Sequence, residues 1–141
     1  MIARLARQVE LAVATTDLTL AQYRVLGILG DGREAASALA EKLAVSRPSV
    51  TGVVDGLVAR GLACRDPDRV DRRRIGVYLT APGRRVLALA DAEVEARLTA
   101  IIAHGSGEAD AALAGLRPWR DALDAYRAAR RANSAPLEVT R

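Results

Sequence analysis

The sequence predicts a mainly α-helical fold with one small β-hairpin. Alanine fills 29 of the 141 positions, whereas phenylalanine is absent and aromatic residues make up only 3%. Small and aliphatic side chains suit closely packed helices, and a large sheet would need more β-branched and aromatic residues. Apolar residues recur at helical spacing in most segments, and only residues 62–65 and 75–79 read as short strands.

Composition also limits the classes of function. The length is that of one domain, and no apolar run approaches the roughly 18 residues of a membrane span. The first residues lack the pattern of a secretory signal peptide. One cysteine and one histidine cannot build the usual structural zinc site, and no nucleophile elbow or glycine-rich phosphate loop is present. We expect a soluble cytoplasmic protein that is not an enzyme, with no catalytic residue, metal or cofactor and no membrane partner.

The N-terminal half predicts two helices. Residues 2–15 form an amphipathic pattern that begins close to the first residue. Thr19 and Gln22 have the spacing of a capping box, and the helix that they begin continues to Leu29. The segment Gly30-Asp31-Gly32 ends that helix.

A tight pair of helices follows. Residues 36–43 form a short helix, and a two-residue turn leads to Ser46, an N-cap candidate. Pro48 lies in the first turn of the next helix, where its missing N–H costs nothing. That helix continues to about Arg60, and Gly61 ends it.

The C-terminal half predicts a hairpin and two long helices. The strands 62–65 and 75–79 flank a charged tip and must lean on the helices, because a lone hairpin cannot bury a core. A helix then runs from a Thr80 cap to about Ala103. A last helix carries apolar residues at alternating spacings of three and four, namely Leu113, Leu116, Trp119, Leu123 and Tyr126.

Positive charge is concentrated in one stretch of the chain. The net charge is +4, yet residues 1–59 are neutral and residues 86–141 carry −1. Residues 60–85 carry eight arginines against three aspartates, a net +5. A local excess of this kind favours contact with a polyanion.

This order of elements predicts a winged helix-turn-helix between terminal helices. A helix fits the major groove of B-DNA, and its first turn points at the base edges. A basic hairpin beside it can follow the phosphate backbone or enter the minor groove, whose negative potential attracts arginine.

Several motifs carry a family resemblance. They are Leu18-Thr19-Leu20-Ala21-Gln22, the stretch from Ser37 to Thr51, and Leu57-Val58-Ala59-Arg60-Gly61-Leu62, together with the wing pattern D-x-R-x5-L-T at Asp71, Arg73, Leu79 and Thr80. Together they closely resemble the MarR family of transcription regulators over about residues 18–90. One departure is that the family usually has long polar side chains at positions matching Gly52 and Gly56.

The resemblance implies one domain, 1–141, in which residues 1–16 and 83–132 form dimerisation helices around a DNA-binding lobe, 19–82. It implies a homodimer that binds a pseudo-palindromic operator in double-stranded DNA. Arg73 resembles the wing arginine that reaches the minor groove, and Asp71 the carboxylate that orients it. The full set of DNA-binding candidates is Ser37, Arg47, Ser49, Thr51, Asp71, Arg72, Arg73 and Arg74.

The expected function is that of a transcriptional regulator, a repressor that responds to a small-molecule effector. Tyr23 and Arg24 lie near the ligand crevice that the resemblance implies, although a core aromatic and a surface arginine are the alternative interpretation. The alternative function is an architectural or protein-interaction winged-helix module without an effector. Salt-dependent binding to duplex DNA with sequence preference separates the two.

Three further residues admit two interpretations each. Cys64 is interpreted as a small strand residue rather than a redox switch. His104 is interpreted as a helix-end residue rather than a ligand or metal sensor. Trp119 and Tyr126 are interpreted as part of a dimer core rather than a ligand cage.

Overall fold

The computed structural model describes residues 1–67 and 75–104, together with single positions between 111 and 129. The chain forms two compact units, Met1–Leu98 and Thr99–Arg141. Helices and a small antiparallel sheet make up the first unit, which confirms the predicted fold class. The division into a lobe and flanking dimerisation helices stays a prediction. No helix of the described residues is long and apolar enough to cross a membrane.

Five helices are described in chain order. They are α1 (Ile2–Ala14), α2 (Leu20–Gly30), α3 (Ala36–Leu43), α4 (Arg47–Ala59) and α5 (Ala81–Ala103). Thr19 forms the predicted capping box, because its hydroxyl accepts from Gln22 N at 3.1 Å and its N–H donates to Gln22 Oε1 at 3.0 Å. Ser46 caps α4 by accepting from Ser49 N at 3.3 Å. These local signals fix where α2 and α4 begin.

The turn between α3 and α4 is tight because Ala44 adopts a left-handed conformation, with φ 55° and ψ 45°. Val45 N then donates to Ala40 O at 3.1 Å, which closes the end of α3. A left-handed alanine costs roughly 1–2 kcal/mol relative to the right-handed form. The packing of α3 against α4 therefore offsets a local backbone cost.

Three strands form an antiparallel sheet in the order β1-β3-β2. They are β1 (Glu34–Ala35), β2 (Ala63–Pro67) and β3 (Ile75–Leu79). The hairpin β2–β3 was predicted, although β2 begins and ends later than the expected 62–65. The two-residue strand β1 was not predicted, because it is too short to show any periodicity.

The core of the first unit is aliphatic. Its largest fully buried side chains come from the first four helices and from β3, and they are Val13, Val25, Leu26, Leu39, Val50, Val54, Leu57 and Val77. Full burial of one such side chain stabilises the fold by about 1.5–3 kcal/mol. Val86 and Val94 of α5 also pack against this core, whereas the sequence analysis grouped α5 with the dimerisation helices.

The start of α5 is joined tightly to the end of α4. Thr80 Oγ1 lies 2.7 Å from Gly61 O and 3.0 Å from Leu62 O, and it accepts from Gly83 N at 3.0 Å. Thr80 N also donates to Leu62 O at 3.2 Å. Thr80 thus caps α5, as predicted, and ties it to the chain that leads into β2.

Candidate nucleic-acid interface

The pair α3–α4 presents one exposed face. Val50, Val54 and Leu57 turn the other face of α4 into the core. The exposed residues of α4 include Arg47, Ser49, Thr51, Gly52 and Asp55. This is the geometry that a helix needs to enter a groove, with its apolar stripe held and its polar face open.

The four predicted site residues on these helices are all exposed. Ser37 lies in the first turn of α3 and Arg47 in the first turn of α4. Ser49 Oγ lies 2.7 Å from Ser46 Oγ, and Thr51 Oγ1 donates to Arg47 O at 3.0 Å. The Thr51 hydroxyl keeps acceptor capacity for an outside donor, whereas the Ser49 hydroxyl can still donate when Ser46 is the donor in their mutual hydrogen bond. Their contact with DNA stays a prediction.

The wing stem, which consists of the strands β2 and β3, lies beside α4. Arg65 of β2 forms an ion pair with Asp55 of α4, with Nη1 and Oδ1 2.5 Å apart. The predicted tip residues Asp71, Arg72, Arg73 and Arg74 lie outside the described residues. The structure therefore brings the helix face and the stem together.

Some arginines of the stretch 60–85 form contacts within the protein. Arg60 Nη1 donates to Asp17 O at 2.8 Å, and Arg84 Nη1 donates to Leu79 O at 3.0 Å. With Arg65, three of its arginines thus have partners within the protein. The local excess of positive charge favoured contact with a polyanion and did not reveal these contacts, because charge counts carry no information about partners.

Arg33 is a further residue that the sequence analysis missed. Its Nη2 donates to Asp66 O at 2.5 Å, and its guanidinium lies over Gly76. A glycine within a predicted strand is a recognised sign that another group approaches the backbone closely. Gly76 was the one local signal that could have indicated this contact.

The two ligand-binding candidates contact different elements. Tyr23 is half-buried and its hydroxyl donates to Asp91 Oδ1 of α5 at 2.7 Å. Burial, followed by this hydrogen bond, raises the pKa of Tyr23 well above its usual value of 10.0. Arg24 Nη2 instead lies 3.4 Å from Leu43 O at the end of α3. The structure does not bring these two side chains together, and their role in ligand binding stays a prediction.

The residues considered as sensors have ordinary surroundings. Cys64 is half-buried in β2 opposite Tyr78, and a hydrogen bond with Cys64 raises the pKa of Tyr78. His104 follows the end of α5, where Nδ1 lies 2.7 Å from Ala100 O. Within 1–67, 75–104 and the scattered later positions, no three His, Cys, Asp or Glu residues are grouped so that they could hold a metal ion.

The last predicted helix is described only in part. Trp119 and Tyr126 are 66% and 62% exposed. Leu113, Leu116 and Leu123 lie outside the described residues. The expectation that this stripe forms a dimer core stays a prediction.

Comparisons with known proteins agree with this architecture. The MarR family model matches residues 16–74. A protein of Thauera aromatica, described as a transcriptional regulatory protein for the hcr operon, is 36% identical over 84 residues. That match covers 58% of this chain and 51% of the relative, so the chain spans about half the length of the curated relative that it matches.

Solved structures extend the likeness beyond the matched segment. CouR from Rhodococcus jostii, solved with p-coumaroyl-CoA, is 26% identical with a TM-score of 0.68, covering 98% of this chain and 89% of CouR. A mutant of MepR from S. aureus, solved with an oligodeoxyribonucleotide, has a TM-score of 0.64 at 21% identity, covering 86% of this chain and 91% of MepR. Over residues 16–74 the chain thus matches the MarR family in sequence, and its fold is similar to that of solved winged helix-turn-helix proteins of this kind.

Proposed function

We propose that this protein is a transcriptional regulator that binds a pseudo-palindromic operator as a homodimer and represses until a small molecule releases it. The observation that carries the proposal is the exposed polar face of α4 beside the wing stem, joined by the Asp55–Arg65 ion pair. A helix and a basic hairpin at one edge match the two grooves of B-DNA.

The candidate residues divide into two kinds of contact. Arg47 at the start of α4 lies where a recognition helix meets base edges, and Thr51 follows it one turn later on the same face. Ser37 and Ser49 suit phosphate contacts, because hydroxyls near helix starts hydrogen-bond to the backbone of DNA. In the wing tip, Arg72 and Arg74 act on phosphates, whereas Arg73, oriented by Asp71, enters the minor groove.

Exposed apolar side chains support the dimer. Ile2 and Leu11 of α1 are 74% and 37% exposed, and Leu89 of α5 is 53% exposed. Large apolar side chains that are exposed to solvent on two helices favour association with a partner. A second copy also supplies the second half-site contact, at a spacing of roughly 34–36 Å between recognition helices.

The effector would act through the join between the lobe and α5. The Tyr23–Asp91 hydrogen bond connects α2 with α5, so a molecule that competes for it changes how the lobe is held. CouR, which was solved with an acyl-CoA, is a relative of the same fold that holds a small molecule. Such a ligand needs only to bind one arrangement of the lobes better than the other.

The test is binding to duplexes selected from a random library, followed by anisotropy titration at several salt concentrations. We expect a palindromic consensus, a 1:1 ratio of dimer to duplex, and affinity that falls steeply with salt. Arg47→Ala should weaken binding and relax one position of the consensus. Arg7→Ala, which removes an exposed arginine paired with Glu10 on α1, is the charge control, and sedimentation must first show that it keeps the oligomeric state of the parent, because α1 belongs to the proposed dimer. Salt-dependent binding without any consensus would favour the architectural module instead.

A further inference from the structure

Arg33 makes an unusual contact across the sheet. It directly precedes β1, an edge strand, yet its Nη2 donates to the carbonyl of Asp66 in β2, the opposite edge, at 2.5 Å. The central strand β3 lies between them, and Gly76 of β3 pairs with Ala35 on one side and with Asp66 on the other. The arginine side chain therefore spans all three strands.

Gly76 is what allows this crossing. A Cβ at Gly76 would collide with the guanidinium, lying 2.7 Å from Cζ and 2.8 Å from Nη2 of Arg33, and closer still to Nε. Any other residue at this position would push the arginine off the strand. Arg33 and Gly76 thus form one structural unit, in which the missing side chain makes room for the planar group.

The crossing lies at the tip end of the stem. Asp66 is the last but one residue of β2, and Gly76 is the second residue of β3. A hairpin with strands this short is marginal by itself. The edge strand β1 pairs only at Val77 and Gly76, so Arg33 adds a charge-assisted hydrogen bond where the pairing of β1 with β3 ends.

We propose that Arg33 is a positioning residue, a strap over Gly76 that holds both strands of the stem and so sets where the wing tip meets DNA. This inference rests on the proposed function. Arg33 acts through the wing, because its Nη2 donor is directed at the Asp66 carbonyl. The competing interpretation is that Arg33 is a phosphate clamp that contacts the DNA backbone directly.

Arg33→Ala and Gly76→Ala separate the two interpretations. If Arg33 is a strap, each single variant raises the operator Kd by about three- to tenfold. The operator Kd of the double variant is then no higher than that of the single variant that binds less tightly. The slope of log K against log salt stays that of the parent protein, and preference for the sequences flanking the half-sites falls while half-site preference is kept.

A phosphate clamp gives a different pattern and would overturn the proposal. Arg33→Ala would then reduce the salt slope by about 0.9 per subunit. Arg33→Lys would then keep the operator affinity of the parent, because a lysine ammonium can also bind a phosphate. Under the strap interpretation Arg33→Lys would not keep it, because lysine lacks the planar guanidinium that lies over Gly76. Gly76→Ala would keep or improve binding, since it frees the arginine. Should Gly76→Ala fail to fold, Arg33→Ala and Arg33→Lys still decide the question.

A second measurement needs no DNA. Amide hydrogen exchange over residues 63–79 should be faster in Arg33→Ala than in the parent, with exchange in α2 and α4 unchanged. Unchanged exchange in the stem would overturn the strap whatever the DNA titrations show. If the parent protein itself selects no duplex, the proposed function fails, and the exchange result alone then decides whether the strap exists.

Discussion

Substituting Gly83 should damage the joint between α4 and α5. Gly83 is buried in the first turn of α5, and a Cβ there would collide with the backbone oxygen of Leu62. It would also lie 3.0 Å from Leu79 Cδ1. The oxygen cannot retreat freely, because Thr80 N, at 3.2 Å, and Thr80 Oγ1, at 3.0 Å, both lie within hydrogen-bond distance of it.

The magnitude follows from these contacts. Overpacking against a fixed group costs about 1–3 kcal/mol, and each hydrogen bond lost at the Leu62 oxygen adds about 1 kcal/mol. Alanine recovers at most about 1 kcal/mol through its better helix propensity. We therefore expect Gly83→Ala to lower the free energy of unfolding by about 2–4 kcal/mol, a large part of the roughly 5–15 kcal/mol of a typical domain.

Urea unfolding followed by circular dichroism at 222 nm measures this change. Gly27→Ala is the matched control, because Gly27 lies in α2, is exposed, and has nothing within 4 Å of an added Cβ. The control should be more stable than the parent by about 0.5–1 kcal/mol. The reasoning is refuted if Gly83→Ala is as stable as the parent or shares the gain of the control.

Three other predictions concern substitutions at Tyr23, Gly52 and Cys64. Folding raises the pKa of Tyr23 above 10.0. The stability that protonated Tyr23 contributes to the folded state is therefore fully present below about pH 10 and is lost as the pH rises further. Tyr23→Phe should remove that loss in alkaline thermal melts and cost about 1 kcal/mol at neutral pH; an unchanged alkaline profile would contradict this. Gly52→Ala should stabilise the free protein by about 0.5–1 kcal/mol in urea, because an added Cβ meets nothing within 4 Å, and a loss of stability would show an unseen clash. Cys64→Ser should keep operator binding and its response to peroxide or effector, measured by anisotropy; loss of a peroxide-induced release would make Cys64 a redox switch.

Local chemistry explains why most helix boundaries could be predicted. The Thr19–Gln22 capping box and the Ser46 cap depend on residues three positions apart, so the sequence displays both partners. Gly61 ends α4 with φ +67°, a conformation that glycine adopts without strain. The wing strand β3 begins and ends as predicted, since its apolar run is bounded by charged and capping residues.

Contacts between distant residues explain what could not be predicted. The nearer partner of Arg60 is the carbonyl of Asp17, 43 positions away, and no pattern in the sequence joins the two. The strand β1 exists only because β3 lies beside it. A count of arginines therefore indicates a polyanion contact without showing which of these side chains have partners within the protein.

The two glycines of α4 have different surroundings. A Cβ at Gly56 would make an ordinary van der Waals contact with Gln22 Nε2 at 3.5 Å, beside the cap of α2. Gly52 faces open space, and nothing in the described part of the chain accounts for it. Under the proposed function, the outward stripe of α4 that can read bases then consists of Arg47, Thr51 and Asp55, one turn apart.

Under the proposed function, only the start of that stripe is free to donate hydrogen bonds to bases. Asp55 is already held by Arg65, and the Thr51 hydroxyl donates to the helix backbone, which leaves it an acceptor. On that proposal, direct readout by α4 would be concentrated on Arg47 in the first turn, where a bidentate arginine–guanine contact is the commonest specific pair. A regulator with so short a reading stripe must draw the rest of its specificity from the wing. A displaced wing should therefore lower specificity as well as affinity.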